Sequence, residues 1–393
     1  MSSASHQSER HGDGVRGAEP SVGFVSSFDG LRALKADWSD VQAVGGVTSP
    51  FSMWEWQCSW WLHYGEPRAR RQLAIVTVRE GDMLSALLPT FVRHVGLPGA
   101  TLRSLHLLGT AHESSDFLDV PQRDPARSDL LPLLVTHAHQ RVEADRICFA
   151  NLADDSPVLS RVRALATERG LQVAQYRTHT CPYVPIAGTW ADYLASRGSS
   201  FRQTLGRRTR RFFERPGASF DYVTDASELP AALDDVFTLH RRRFAQKGAR
   251  TRFVVDRRGA FHATLSRLML DRGALRLFRL RVEGRTVATL YCFEQAARLF
   301  YFQGGIDPDW QRESVGTVLM GQVVKYAFDR GLVAFELLRG NEPYKLRWTD
   351  CTRHLVRVDL GMTPRGRLSV LLTSAYRSIQ MVAPKARSAG LKN

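Results

Sequence analysis

Residues 302–331 read Phe302-Gln-Gly-Gly-Ile-Asp-Pro-Asp-Trp-Gln-Arg-Glu-Ser-Val-Gly-Thr-Val-Leu-Met-Gly-Gln-Val-Val-Lys-Tyr-Ala-Phe-Asp-Arg-Gly331. A strand ends in the pair Gly304-Gly305, a polar turn follows, and a helix opens around Ser314 to Thr317. Val315, Leu319, Val323 and Tyr326 recur at helical spacing, and Gly331 stands where a left-handed cap ends a helix. A helix starting Ser-x-Gly offers unpaired backbone N–H groups and the positive end of its dipole. With no side chain at Gly316, a phosphate can come close. The same residues also fit a capping serine followed by a glycine packed on a sheet.

The chain continues into a short strand, Ala334-Phe-Glu-Leu-Leu-Arg-Gly, that places Glu336 and Arg339 near its C-terminal end, where open α/β sheets hold ligands. Asn341-Glu-Pro-Tyr-Lys-Leu-Arg-Trp comes next. Pro343 permits a helix start and groups Tyr344, Lys345 and Trp348 in one short element.

Upstream lies a β-hairpin pattern, Leu277 to Phe293, turning at Glu283-Gly284, and the first half holds its counterpart, Leu73 to Pro89, turning at Glu80-Gly81. Each hairpin is followed by strand, helix and strand patterns: 105–109, 128–142 and 146–151 in the first half, 299–304, 314–330 and 333–338 in the second. This shared order predicts an α/β fold with mixed sheets in two tandem, duplicated domains. The boundaries fall at a disordered tail 1–22, a first domain 23–187, a catalytic second domain 188–364 and a basic amphipathic tail helix 365–393. The joint is the turn Pro185-Ile-Ala-Gly-Thr189.

Composition sets the outer limits. A chain of 393 residues exceeds one ordinary hydrophobic core. The five cysteines, Cys58, Cys148, Cys181, Cys292 and Cys351, are scattered and fit neither a zinc site nor a disulfide framework, so no metal is expected. The polar N-terminus lacks the apolar core of a secretory signal, and no run reaches membrane-spanning length, so the expected location is cytoplasmic. The net charge of +15 attracts anions without choosing among nucleic acid, anionic lipid and a nucleotide-containing cofactor.

Several blocks together resemble a known family. Gly-Gly-Ile-Asp-Pro, Ser-Val-Gly-Thr-Val-Leu, Phe-Glu-Leu-Leu-Arg-Gly and Tyr-Lys-Leu-Arg-Trp look like the GNAT-superfamily acetyltransferases of cellulose and exopolysaccharide gene clusters. Phe201-Arg-Gln-Thr-Leu-Gly-Arg-Arg-Thr-Arg-Arg-Phe, Leu239-His-Arg-Arg-Arg-Phe, Ser49 to Trp61 and Ser115-Asp-Phe-Leu-Asp agree, so the likeness runs through most of residues 23–360. It implies two GNAT-like (acyl-CoA N-acyltransferase) domains, acetyl-CoA or another acyl-CoA as co-substrate, and kinship with Fem-type transferases that use aminoacyl-tRNA. It also implies that Lys345 stabilises charge on the acyl oxygen. One departure stands out: of the glycines in the family's Arg/Gln-x-x-Gly-x-Gly/Ala loop, Arg312-Glu-Ser-Val-Gly-Thr keeps Gly316 alone.

Acyl transfer needs a base for the attacking group and a donor for the developing charge. Glu336 and His240 are the candidate bases, with a salt bridge to an arginine and a packed helical histidine as their structural alternatives. Tyr344 and Lys345 are placed to polarise a carbonyl or protonate a leaving group. Gly304, Gly305, Ser314, Val315, Gly316 and Thr317 form the expected donor cradle, and Asp116, Trp56, Arg243, Arg339 and Trp348 the expected acceptor contacts. Trp56 and Trp60, four apart, also fit a buried helix face. The first half has no glycine-rich loop after Gly109, so one donor site per chain is expected.

The basic helix Arg202 to Arg215 has no aromatics interleaved among its arginines to suit base stacking, so a solvated face or contact with a phosphorylated or acidic acceptor is expected ahead of nucleic acid, and no specific nucleic acid is expected. The tail helix, with Leu368, Leu371, Leu372, Ala375 and Ile379 among arginines, docks on the domain or touches an anionic membrane. The sequence thus predicts transfer of an acyl group to an amine or hydroxyl of a sugar, amino acid or other small molecule. The alternatives are an aminoacyl-tRNA-dependent transferase and a non-catalytic binding protein of polysaccharide assembly. Oligomeric state is not encoded legibly.

Overall fold

The computed structural model describes residues 19–46, 48–65, 71–96, 101–110, 112–113, 115–246 and 257–382. The first half runs β1 (Pro20–Val25), α1 (Phe28–Ala33), α2 (Lys35–Gly45), α3 (Trp54–Trp60), β2 (Arg71–Glu80), β3 (Met83–Val95), β4 (Leu102–Leu107), α4 (Leu130–Val142), β5 (Arg146–Ala153), α5 (Pro157–Glu168) and β6 (Gln172–Pro185). The second runs α6 (Trp190–Ser196), α7 (Ser199–Phe213), β7 (Ser219–Tyr222), α8 (Leu229–Gln246), α9 (Arg257–Asp271), β8 (Leu275–Val282), β9 (Arg285–Gln295), β10 (Arg298–Ile306), α10 (Val315–Asp329), β11 (Ala334–Glu336), α11 (Pro343–Leu346), β12 (Thr352–Gly361) and α12 (Pro364–Val382).

Both hairpins form, the second with its turn at Glu283-Gly284 as read and the first with its turn one residue later than Glu80-Gly81. Val282 pairs with Arg285 across Glu283 and Gly284, both at positive φ, and Glu80 pairs with Met83 across Gly81 at φ +61° and Asp82. The joint also forms as read. β6 ends at Pro185, and Thr189 caps α6 through a reciprocal pair, Asp192 N–H to Thr189 Oγ1 at 3.1 Å and Thr189 N–H to the Asp192 carboxylate at 2.8 Å.

The strands make one sheet in the order β1-β2-β3-β4-β5-β12-β6-β11-β10-β9-β8-β7. Each half contributes an antiparallel run ending in one parallel pair, β4 with β5 and β10 with β11. The next position is then filled by the other half: β12 lies antiparallel between β5 and β6, and β6 runs antiparallel to β11. The duplication is therefore reciprocal, and a cut at residues 187/188 would divide the chain but not the sheet.

Aromatic packing seals the halves together. Phe51 and Trp56 from the first half meet Phe261, Phe293, Phe300 and Phe302 from the second at ring-centre distances of 5.4 to 6.3 Å. Trp56 is fully buried there and donates its indole N–H to Ser115 Oγ at 2.9 Å. It lines neither of the two cavities of the candidate site, so the acceptor contact expected of Trp56 gives way to core packing.

At the N-terminus, Pro20 to Val25 pair with β2, so the tail expected to be disordered to residue 22 is already ordered at 20. Residues 1–18 lie outside the described residues. At the other end, α12 packs on β12 and β6 through Val370. Leu368, Leu371, Leu372 and Tyr376 stay exposed on its outward side, and residues 383–393 are outside the described residues. All five cysteines are free, with four buried, and no described helix is long and apolar enough to cross a membrane.

Candidate active site

The site begins where the parallel pair of the second half comes apart. β10 and β11 are paired only from Arg298 to Phe300 and Ala334 to Glu336. Past that point β10 continues to Ile306 along β9 with a bulge between Tyr301 and Gln303, while the chain after β11 follows β6, Leu337 N–H bonding Pro182 O at 2.9 Å and Gly340 N–H bonding Thr180 O at 3.0 Å. A wedge opens at the C-terminal ends of the two parallel strands, the usual ligand position in such sheets. The matching wedge of the first half is closed by its own chain: Leu118 N–H bonds Asn151 O at 3.0 Å, and Asn151 Nδ2 donates to Ser115 O at 2.8 Å.

Two cavities flank the wedge. The larger, of about 630 Å3, lies between α7 and the start of α10 over Thr289, Leu290, Gly304 and Ile306. Ser314 has φ +55° and its carbonyl accepts Thr317 N–H at 2.8 Å and Val318 N–H at 3.2 Å. The N–H groups of Val315 and Gly316 have no acceptor among the described residues, and both residues line the cavity. Ser314 makes no side-chain cap, contrary to the capping alternative. A Cβ at Gly316 would stand 2.4 Å from Ile306 Cδ1, so the close sheet packing and the open amides coexist. Arg208 and Arg347 also line this cavity, and neither has a carboxylate partner among the described residues. Anion-seeking groups of two kinds, amides and guanidiniums, thus face one space.

The smaller cavity, of about 460 Å3, lies between the halves and is lined by Glu113, Asp116, His240, Arg258, Gln303, Arg339 and Lys345 among others. Both cavities share Arg243, Tyr301, Gly304 and Tyr344. Gly304 is required at this junction, since a Cβ there would lie 2.5 Å from the Tyr301 hydroxyl. Burial pushes the Tyr301 and Tyr344 phenols up, the neighbouring Tyr344 hydroxyl adding to the effect on Tyr301, so both stay protonated at neutral pH. His240, buried and stacked on Phe244 at 4.5 Å, is pushed down to about 4 by burial and by the Arg243 charge, and is neutral at pH 7.

Other expected residues take different tasks. Lys345 is buried, and its ammonium donates to Arg339 O at 2.7 Å, Leu338 O at 3.4 Å and the Glu342 carboxylate at 3.0 Å. Its three donors are committed to holding the 338–342 loop, and none remains for an acyl oxygen. Glu336 lines neither cavity. Its Oε1 accepts from Arg298 at 2.8 Å and Arg353 at 3.2 Å, and it faces a separate hollow beside Asp119, so the structural alternative to a base describes it. Burial pushes its pKa up while the two arginines oppose that shift. Gly305, expected in the donor cradle, does not line the larger cavity, because it abuts α8, where a Cβ would be 2.8 Å from Leu239 Cβ.

Trp348 and Thr317 line the larger cavity, and Asp116 the smaller one, where its fully buried carboxylate accepts Arg339 N–H at 2.9 Å across the two halves. Sequence reasoning missed Tyr301, Arg347 and the Glu113–Arg258 pair. Tyr301 sits inside an apolar strand pattern, which does not show the bulge between Tyr301 and Gln303. Among the described residues no group of side chains is placed to hold a metal ion.

Residues 199–346 match the family model described as an acetyltransferase (GNAT) domain. Comparison with curated proteins finds no match. Similar solved structures include FemX, at 11% identity over 82% of this chain and 95% of that one, with a TM-score of 0.57. The C-terminal domain of a protein described as a lysylphosphatidylglycerol synthetase from Agrobacterium fabrum matches at 15% identity, 86% and 96% coverage and TM-score 0.51. A protein of unknown function from Bacteroides thetaiotaomicron matches at 14% identity, 83% and 96% coverage and TM-score 0.52. At these identities the likeness is one of fold. Residues 199–346 thus resemble an acetyltransferase (GNAT) domain, and the chain as a whole shares its fold with these solved structures.

Proposed function

We propose that the protein transfers an acetyl or longer acyl group from coenzyme A to an amine or hydroxyl of a small-molecule or saccharide acceptor. One observation carries this reading: two cavities, one lined by open amides and unpaired arginines and the other by paired charges, meet at Tyr301, Gly304, Tyr344 and Arg243. The diphosphate of the donor fits the Val315 and Gly316 amides with Arg208 and Arg347 alongside. The thioester then falls at the junction.

In this reading the acceptor nitrogen or oxygen forms a bond to the acyl carbon as the carbon–sulfur bond breaks. The departing sulfur takes a proton from Tyr344, a phenol kept protonated by burial. The acceptor gives up its proton to neutral His240, which borders the acceptor cavity. Lys345 and the Asp116–Arg339 pair fix the walls that hold these groups.

Thiol release from acetyl-CoA in the presence of amine and amino-sugar pools tests the proposal. Tyr344→Phe is expected to lower the rate by about 10²–10⁴-fold, the range for losing a positioned proton donor, with little change in fold. Full activity in that variant removes the phenol from the chemistry. Binding of charged tRNA that weakens steeply with salt, without affinity for acetyl-CoA, would instead support the aminoacyl-tRNA alternative suggested by the FemX-like fold.

A further inference from the structure

The charges lining the smaller cavity can be matched one to one, with one left over. Glu113 pairs with Arg258 at 2.6 Å and also accepts from the Tyr64 hydroxyl at 2.5 Å. Asp116 pairs with Arg339, and Glu342 with Lys345 at 3.0 Å. Arg243, the remaining charge, is half-buried and has no carboxylate partner or hydrogen-bond acceptor among the described residues. A half-buried guanidinium holds five donors and pays for desolvation unless an anion meets it.

Two ligands reach Arg243, because it borders both cavities. The donor does not supply the anion there. In coenzyme A the phosphates stand at the far end of an uncharged arm from the thioester, and Arg208 and Arg347 line the same cavity as the open amides. Where the thioester sits beside Tyr344, the donor is neutral. The anion at Arg243 therefore arrives with the acceptor.

We propose that the acceptor is an amine or hydroxyl compound bearing a carboxylate or phosphate, which Arg243 holds at the junction while His240 and Tyr344 face the reacting centre. Arg258 and Arg339 each keep guanidinium N–H groups beyond those spent on their acids, so a bidentate contact can extend to them. The inference rests on the acyl-transfer reading of this site, and it names the acceptor's charge.

Matched pairs that differ in the anion test it: 6-aminohexanoate against hexylamine, and glucosamine 6-phosphate against glucosamine. Calorimetric binding of each to the full chain without donor is expected to favour the anionic member by about tenfold or more, as charge-assisted hydrogen bonds do. Arg243→Gln should abolish that preference and Arg243→Lys should retain most of it, with the melting temperature of each variant reporting the fold. Equal binding within the pairs, binding of none of them, or a preference that survives in Arg243→Gln overturns the proposal. So does a variant that lowers turnover equally for anionic and neutral acceptors with the preference unchanged, because Arg243 would then serve the acyl oxygen. Failure of acetyl-CoA to bind is a separate result and strikes the acyl-transfer reading itself.

Discussion

At the scale of single residues, burial decides what each titratable group can do. His240 is held neutral because it is buried beside Arg243, and His106 is pushed down to about 3 by burial and by surrounding arginines. Both have folded pKa values below the ordinary 6.5, so the unfolded chain binds more protons as the pH falls through the window from 6.5 to 4. Stability is full above about pH 6.5 and is lost on acidification, by on the order of a few kcal/mol for two such groups. Asp119, pushed up to about 6 by burial, works in the opposite sense between pH 3.8 and 6 and offsets part of this loss. Thermal melts from pH 7 to 4.5 should therefore show a falling midpoint, and a flat midpoint would contradict the buried neutral histidines. Tyr344 and His240 were legible as candidates, the first from the helix start at Pro343 and the second from the helical pattern Val236, Phe237, Leu239 and Phe244, and the structure places both with Arg243 on the lining of the smaller cavity. Glu336 and Lys345 were legible as positions but not as roles. What settles their roles is the pairing with Arg298 and Arg353, and with the carbonyls of Leu338 and Arg339, which come together only on folding.

At the scale of elements, the turn chemistry carried most of the information. Glu283-Gly284 and Gly81-Asp82 close the hairpins as local propensity dictates, and Gly331 at φ +63° ends α10 where its spacing ends. The bulge in β10 was not legible, because an extra residue in a strand, here Phe302 between Tyr301 and Gln303, leaves no mark in the local pattern. It nevertheless brings Tyr301 into the junction beside Gly304. The start of α10 has a sharper consequence. A valine at position 316 would press on Ile306 and place a methyl group over the open amides, so Gly316→Val is expected to weaken acetyl-CoA binding by about tenfold or more while leaving the distant aromatic core intact.

At the scale of the molecule, the reciprocal placement of β6 and β12 makes each half depend on the other. The sequence pattern suggested duplication, yet strand exchange is set by long-range pairing that no local pattern encodes. A chain divided at residues 187/188 should therefore yield two pieces that are insoluble or unfolded alone and that recover the native circular dichroism spectrum when refolded together. Independent folding of either piece would contradict the pairing of β12 with β5 and β6. The same exchange places the Asp116–Arg339 pair across the smaller cavity, so the candidate site is a property of the whole chain rather than of residues 199–346 alone. The most direct measurement on that site is calorimetric titration of the full chain with acetyl-CoA. One binding event per chain, weakened in Gly316→Val, is the expected result. An intact fold that takes up no acetyl-CoA, or binding indifferent to that substitution, would contradict the assignment of the α10 amides as the donor's anchor.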